Sequence, residues 1–220
     1  MKKYNWYALK LVAICVIVFI LQNFYEGLTY QFSLDSSRFL SRPWTIVTYM
    51  FLHGSFEHLF YNMIALGLFG SILERIIDGK KFLLTFFISG IIAGIGSIIF
   101  YTSSIGASGS IYGILGVIAV LRPRMTVYVS FVPLPMALAV VLWTLGDLLG
   151  LFTPSDLIGH AAHLFGLIFG LAYGLTLRKE YKEVVIKEKK EEISDEEFRK
   201  WEEKYMLSYS NSQTFSTIFT

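Results

Sequence analysis

The sequence is short of charge and almost without cysteine. Of its 220 residues only 16% are charged and 54% are hydrophobic, whereas soluble domains average about 25% and roughly 45 to 50%. A soluble domain of this size needs more charge on its surface, so we expect the excess apolar side chains to face lipid. The net charge is only +2 and no basic stripe is present, which argues against a nucleic-acid-binding protein. The single cysteine, Cys15, cannot form an intrachain disulfide.

Six apolar stretches are separated by charged residues, proline and glycine. Each is interpreted as a membrane-spanning helix, because about 20 apolar residues cover the roughly 30 Å of hydrocarbon in a bilayer. The predicted spans are 6–24, 58–77, 82–101, 108–121, 125–143 and 154–177. The predicted fold class is therefore all-α: a six-helix polytopic membrane domain over residues 1–177. The charged tail, 178–220, is predicted to be a cytoplasmic helix with a capping box at Ser194 and Glu197.

Lysine and arginine are unevenly distributed between the two sides of this bundle. One side carries only Arg38 and Arg42, and the other carries the tail and six further basic residues. These are Lys2, Lys3, Lys80, Lys81, Arg122 and Arg124. The positive-inside rule places both termini in the cytoplasm. A chain of this size with no targeting peptide favours the plasma membrane.

The fourth predicted span is too short to cross the bilayer. Its 14 residues cover only about 21 Å of a core roughly 30 Å thick. Arg122 fixes its inner end at the cytoplasmic interface, so its outer end, 106–109, lies below the outer surface. Backbone at that depth is tolerated where it is buried in protein or lines a water-filled cavity. The sequence therefore predicts a wet pocket within the bilayer, with Ser108 at its floor.

Polar residues inside membrane spans are costly and are functional candidates by default. Three pairs occur here, each with a spacing of three or four residues, so the members of each pair share a helix face. The pairs are His58 with Asn62, Ser108 with Tyr112, and His160 with His163.

Small residues let helices approach closely in lipid, and GxxxG patterns occur on both the fourth and the sixth span. The glycines are Gly109, Gly113, Gly166, Gly170 and Gly174. We therefore expect Ser108 and His163 to meet at a similar depth.

A serine hydroxyl becomes a nucleophile when a neighbouring base accepts its proton, and histidine can act as that base. Ser108 and His163 are expected to form such a dyad. A third member is not expected, because Asp156 lies two turns above His163 and Asp147 is predicted to lie in a loop.

The developing oxyanion needs hydrogen-bond donors. The backbone N–H of Ser108, the side chain of His58 and the amide of Asn62 are the candidates.

Three motifs carry a resemblance to a known family. They are Gly-Ala-Ser-Gly at 106–109 followed by Tyr112, the stretch from His53 through His58 to Asn62, and the stretch 162–170 around His163. Together these motifs closely resemble the rhomboid intramembrane serine proteases, and the resemblance covers about residues 45–177 of the six-helix body.

The resemblance implies that Ser108 is the nucleophile, His163 the general base, and His58 with Asn62 the oxyanion stabilisers. It also implies that Tyr112 packs against the base. By the same resemblance, Glu74 holds helices together, and the fifth span with its outer loop forms a lateral gate for transmembrane-helix substrates. It implies no cofactor, and it assigns no role to His160, for which packing or hydrogen bonding is expected.

Two other functions remain open. Four histidines could bind a metal in an intramembrane metalloprotease or a transporter, but the HExxH motif is absent and no cysteine or carboxylate is expected to complete a ligand set. These histidines are His53, His58, His160 and His163. The chain could also be an inactive rhomboid-like protein that binds membrane helices. The sequence does not define the substrate or the oligomeric state.

Overall fold

The computed structural model describes residues 4–153, 158–191, 199, 200 and 203. The predicted capping box at Ser194 and Glu197 lies outside the described residues, and so do Pro154 and Asp156. Helices dominate the described chain. They are α1 Tyr7–Phe24, α2 Leu28–Phe32, α3 Thr45–Thr48, α4 Phe56–Ala65, α5 Ser71–Ile77, α6 Gly79–Phe100, α7 Ser108–Leu121, α8 Met136–Gly150 and α9 His160–Glu191. A 3₁₀ turn, Tyr49–Phe51, follows α3, and a π-helical segment, Leu66–Gly70, joins α4 to α5.

In the part of the chain that the structure describes, two short antiparallel strand pairs interrupt the helices. The fold is therefore mostly helical, and the all-α prediction needs that correction. Strand β1 (Leu34–Asp35) pairs with β2 (Ser103–Ser104), and β3 (Thr126–Val129) pairs with β4 (Val132–Pro135). The β3–β4 turn places Ser130 and Phe131 at φ +48° and +68°. Two successive left-handed residues are the geometry of a two-residue hairpin turn.

Among the described residues, four helical segments are long and apolar enough to cross a membrane. They are Tyr7–Phe24, Phe56–Ile77, Gly79–Phe100 and His160–Lys182, and two shorter apolar helices, α7 and α8, accompany them. The chain is therefore an integral, multi-pass membrane protein. Its contacts divide it into two compact units, Met1–Arg178 and Lys179–Thr220, and the first unit contains all of the candidate site residues.

The helix predicted for the fourth span is confirmed as α7, with the expected bounds of Ser108 and Leu121. Eleven of its fourteen residues are buried, so this short helix is surrounded by the rest of the bundle. Because its neighbours are protein, its outer end can stop below the membrane surface without exposing backbone to lipid.

The predicted fifth span, 125–143, is wrong at its beginning. Residues 126–135 form the β3–β4 hairpin, and the helix begins at Met136 and continues to Gly150. Pro133 and Pro135 explain the difference, since proline inside a helix removes a backbone hydrogen bond and clashes with the preceding turn. As a result Asp147 lies within α8, and the prediction that it lies in a loop is also wrong.

The predicted sixth span, 154–177, differs at both ends. Residues 154–157 lie outside the described residues, helix α9 begins at His160, and the helix continues beyond Leu177 to Glu191.

Close helix approach depends on glycine at the interface of α7 and α9. A Cβ on Gly166 would clash with the carbonyl oxygen of Gly109, and a Cβ on Gly170 would clash with that of Gly113. The clashing atoms belong to backbone, which cannot rotate away. The two predicted GxxxG sets therefore do face each other, and they fix the depth of α9 against α7.

A buried carboxylate connects α1 to α5. The Glu74 side chain is 3% exposed, and its Oε1 and Oε2 accept hydrogen bonds from the backbone N–H groups of Tyr7 and Ala8, each at 3.1 Å. These N–H groups belong to the first turn of α1 and have no partner within that helix. Glu74 thus joins two helices, in the manner that the resemblance implied.

Candidate active site

Ser108 is the first residue of α7, and the loop before it is tied to the outer part of the protein. The N–H of Gly106 donates to the carbonyl of Tyr49 at 2.9 Å, and the Tyr49 hydroxyl donates to the carbonyl of Gly90 on α6 at 2.6 Å. Gly106 has φ +121°, a conformation that favours glycine. Since Ser108 begins the helix, its backbone N–H has no intrahelical acceptor and remains able to donate to a ligand.

His163 lies beside α7 and is 8% exposed. Its imidazole stacks on the ring of Tyr112, with centroids 4.2 Å apart and planes 9° from parallel. Tyr112 is one helical turn after Ser108, so the stack places His163 next to the helix face that carries the serine. Among the hydrogen bonds of the described residues, none joins Ser108 Oγ to His163. The helix contact and the stack bring the two residues to the same level.

His58 reaches the Ser108 loop from α4. Ser55 caps this helix by accepting a hydrogen bond from the N–H of His58 at 3.1 Å. The Nδ1 atom of His58 accepts from the N–H of Gly54 at 3.4 Å, so a neutral ring carries its hydrogen on Nε2. That Nε2 atom lies 2.8 Å from where a Cβ of Gly106 would be. A hydrogen-bond donor therefore lies beside the loop that leads to Ser108.

Asn62 lies one turn after His58 and is 7% exposed. Its Nδ2 donates to the carbonyl of His58 at 2.8 Å. An amide nitrogen carries two hydrogens, so one N–H of Asn62 remains for a second acceptor.

Asp147 is the site residue that sequence reasoning missed. It lies on α8 and is 4% exposed, and its Oδ1 atom is 2.9 Å from Nδ1 of His163 and 2.7 Å from Nδ1 of His160. His160, which had no assigned role, is 7% exposed and shares this carboxylate. The prediction that no aspartate lies beside His163 is therefore wrong, because α8 extends past the predicted end of the fifth span.

The same arrangement overturns one argument against a metal site. No carboxylate was expected to complete a ligand set, yet Asp147, His160 and His163 each offer an atom, and these atoms lie within 4.8 Å of one another. Two imidazoles and a carboxylate are a donor set that suits divalent transition metals. The donor chemistry therefore permits a metal, although in this structure the two imidazoles bond directly to the carboxylate.

His53 lies close to His58 but is held differently. Their ring centroids are 5.1 Å apart, and Gln22 on α1 bonds to both the backbone N–H and the carbonyl of His53. The side chain is 1% exposed. Burial, with the electrostatic effect of the neighbouring His58 as a second cause, lowers the pKa of His53 to about 4. His53 is therefore a neutral residue that supports the loop leading into α4.

A separate ionic pair stabilises the outer loop. Arg38 donates to Oδ2 of Asp35 at 2.6 Å, and Ser37 donates to Oδ1. The hydrogen bond from Arg38, followed by that from Ser37, holds the pKa of Asp35 well below its usual range. The pair lies on the loop and takes no part in the site around Ser108.

Comparison with known families agrees with the helical membrane fold. Residues 40–180 match the Rhomboid domain, which is more than half of the chain. The protein therefore belongs to the rhomboid family, and its fold is the rhomboid fold.

Individual relatives in this family are named as proteases. The chain is 39% identical over 77 residues to the putative rhomboid protease YdcA of Bacillus subtilis (strain 168), a match that covers 34% of this chain and 39% of the relative. It is 28% identical over 171 residues to the rhomboid protease GlpG of Yersinia pseudotuberculosis serotype I (strain IP32953) and to that of Yersinia pestis (strain Pestoides F). Those matches cover 74% of this chain and 59% of each relative.

Proposed function

We propose that this protein is an intramembrane serine endopeptidase that cleaves a peptide bond in or near the outer part of transmembrane-helix substrates. The observation that carries the proposal is the backbone contact between α7 and α9 at Gly109 and Gly166. It sets Ser108 and His163 at the same level, within protein, beside the Tyr112 ring. Serine with an adjacent imidazole is the arrangement that nucleophilic hydrolysis of a peptide requires.

In the first chemical step, Ser108 Oγ attacks the carbonyl carbon of the peptide bond. Nε2 of His163 accepts the hydroxyl proton as the C–O bond forms, which gives a tetrahedral oxyanion and an imidazolium. His163 then gives this proton to the amide nitrogen as the C–N bond breaks. The amine product leaves, and Ser108 remains as an acyl ester.

Water completes the reaction by the same route. His163 accepts a proton from the water as its oxygen attacks the ester carbonyl, and the proton returns to Ser108 Oγ as the ester bond breaks. The products are a carboxylic acid and the regenerated serine.

The oxyanion is stabilised by donors from two helices. The backbone N–H of Ser108 has no intrahelical acceptor, His58 carries its hydrogen on Nε2, and Asn62 keeps one N–H beyond its bond to the His58 carbonyl. Donors held in place before the charge develops act most strongly in a site with little water.

The substrate is inferred to enter from lipid beside α8. Only Met136, Ala139, Val140 and Asp147 of its fifteen residues are buried, so this helix is attached to the bundle by a narrow face. We infer further that all six apolar helices form the membrane domain, that both termini are cytoplasmic, and that the protein resides in the plasma membrane.

The direct test is cleavage of a single-span membrane protein by purified enzyme in vesicles. We expect Ser108→Ala to abolish cleavage while the protein remains folded. Ser110→Ala is the matched control, because Ser110 lies on the same helix but faces Met50, with Oγ 3.6 Å from its sulfur. The control should cleave at a rate close to the wild type. Full cleavage by Ser108→Ala would overturn the proposal.

A second candidate function follows from the Asp147, His160 and His163 cluster, which could hold a metal ion for metal-dependent hydrolysis. Treatment with a chelator separates the two functions. The serine mechanism predicts cleavage that resists a chelator and is lost in Ser108→Ala. The metal mechanism predicts cleavage that is lost on treatment with a chelator and is retained in Ser108→Ala.

A further inference from the structure

Asp147 is buried in a helix that is otherwise apolar, and nothing in the proposed two-residue mechanism uses it. A carboxylate at such a position is costly unless it is hydrogen-bonded. Its Oδ1 atom lies within 3 Å of two imidazole nitrogens, at 2.7 Å and 2.9 Å. The structure therefore indicates a role for Asp147 beyond packing.

The contact with Asp147 selects one tautomer of His163. An ionised carboxylate only accepts hydrogen bonds, so Nδ1 of His163 is the donor and carries the hydrogen. In the neutral ring Nε2 then holds the lone pair, and it lies on the opposite edge of the imidazole. A base that takes a proton from Ser108 needs that tautomer.

Two contacts restrict the orientation of the same ring. The stack on Tyr112 fixes its plane, with centroids 4.2 Å apart, and the bond from Nδ1 to Asp147 at 2.9 Å fixes its rotation within that plane. The first contact comes from α7 and the second from α8. Without the Asp147 carboxylate, the stack on Tyr112 would still fix the plane of the His163 ring. The ring could then rotate within that plane, and either nitrogen could carry the hydrogen.

His160 holds the carboxylate from the other side. Its ring lies against Gly150, one turn after Asp147, where an added Cβ would clash with the imidazole. Gly150 therefore makes room for His160, which in turn donates to Oδ1 of Asp147. This pairing keeps Asp147 directed toward α9.

We propose that Asp147 is a positioning residue that completes a Ser108–His163–Asp147 triad, with His160 orienting the carboxylate. This inference rests on the proposed serine mechanism. Asp147 touches His163 and not the substrate, so its effect is on kcat and not on KM.

The kinetic test compares Asp147→Asn with the wild type. The asparagine amide can present an N–H to Nδ1 of His163, which favours the wrong tautomer. We expect kcat to fall on the order of 100-fold or more with KM unchanged. Asp147→Glu, which keeps the charge, should recover part of the rate. Gly146→Ala is the control on the same helix, because an added Cβ there has no atom within 4 Å, and it should cleave normally.

A second measurement does not depend on whether Asp147→Asn folds. The ¹⁵N imidazole shifts of His163 in wild-type protein report which nitrogen carries the hydrogen at neutral pH. We expect Nδ1–H with an unprotonated Nε2. A neutral ring with Nε2–H would overturn the triad, and so would a folded Asp147→Asn variant with wild-type kcat.

Failure of the triad and failure of the serine mechanism give different results. If Ser108→Ala abolishes cleavage but Asp147→Asn leaves it unchanged, the triad fails and the serine mechanism stands. If Ser108→Ala cleaves normally, the serine mechanism fails and the triad fails with it.

Discussion

The imidazole of His163 lies flat on the phenol ring of Tyr112, with centroids 4.2 Å apart and planes 9° from parallel. The two residues come from different helices, α9 and α7, which meet through facing glycines. The stack forms only because α7 and α9 lie close together. It orients His163, the residue proposed to act as the base.

We predict that Tyr112→Ala slows cleavage more than Tyr112→Phe does. An aromatic pair contributes roughly 0.5 to 1.5 kcal/mol beyond its buried area, so losing it should lower kcat/KM by roughly 2- to 10-fold. Phenylalanine keeps the stacked ring and should therefore lose less activity than alanine does. Equal losses in both variants would show that the hydroxyl, and not the stack, is what matters.

We predict that Gly166→Ala destabilises the protein and reduces cleavage. The new methyl would meet the backbone carbonyl of Gly109, and overpacking of this kind costs about 1 to 3 kcal/mol. Thermal unfolding in detergent, measured beside cleavage, is the check. Gly146→Ala is the control, since it adds a methyl in open space and gains up to about 1 kcal/mol of helix propensity. If Gly166→Ala were as stable and active as the control, the helices would not approach as described.

We predict that Glu74→Ala lowers stability without changing the chemistry. The variant leaves the N–H groups of Tyr7 and Ala8 without their acceptors, and hydrogen bonds to a charged group contribute about 1.5 to 3 kcal/mol each. The midpoint of thermal unfolding should fall, while kcat per folded molecule remains at the wild-type value. A drop in kcat with unchanged stability would assign Glu74 to the active site instead.

The fourth prediction concerns acid sensitivity through His53. Its pKa is about 4 in the folded protein and about 6.5 when the chain is unfolded. Below pH 6.5 the unfolded chain therefore takes up a proton that the folded protein does not, and stability falls until the pH reaches about 4. Between pH 7 and pH 5 this lowers the free energy of unfolding by on the order of 2 kcal/mol.

The variant His53→Gln has no imidazole to take up this proton in the unfolded chain. Its free energy of unfolding should therefore change less between pH 7 and pH 5. The measurement is the free energy of unfolding at pH 7 and pH 5 for both proteins. The difference between the two pH values is compared, so a constant offset caused by the substitution does not matter. Identical pH slopes would mean that His53 is protonated to the same extent in the folded and the unfolded protein.

Local features of the sequence predicted the centre of the fold. Helix α7 was predicted residue for residue, because the Gly-Ala-Ser-Gly segment 106–109 marks its beginning and Arg122 follows its last residue. Residue spacing also placed His58 with Asn62, and Ser108 with Tyr112, on shared faces, since helical periodicity is a property of a single segment.

Features that depend on contacts between segments were missed. The β3–β4 hairpin lies within an apolar stretch of the sequence and forms by pairing of two strands. Pro133 and Pro135 nevertheless indicate that a helix does not begin before them. Asp147 meets His163 across 16 residues of chain, a contact that requires the packing of α8 on α9. A signal for it was present, because a carboxylate within an apolar helix marks a functional candidate.

The most direct test of the central claim is labelling by a fluorophosphonate probe, followed by mass spectrometry to identify the modified residue. The probe reacts with a serine whose proton is removed by a neighbouring base. Our account predicts labelling of the wild type at Ser108 and none in either Ser108→Ala or His163→Ala. Labelling at another serine, or undiminished labelling of His163→Ala, would contradict it.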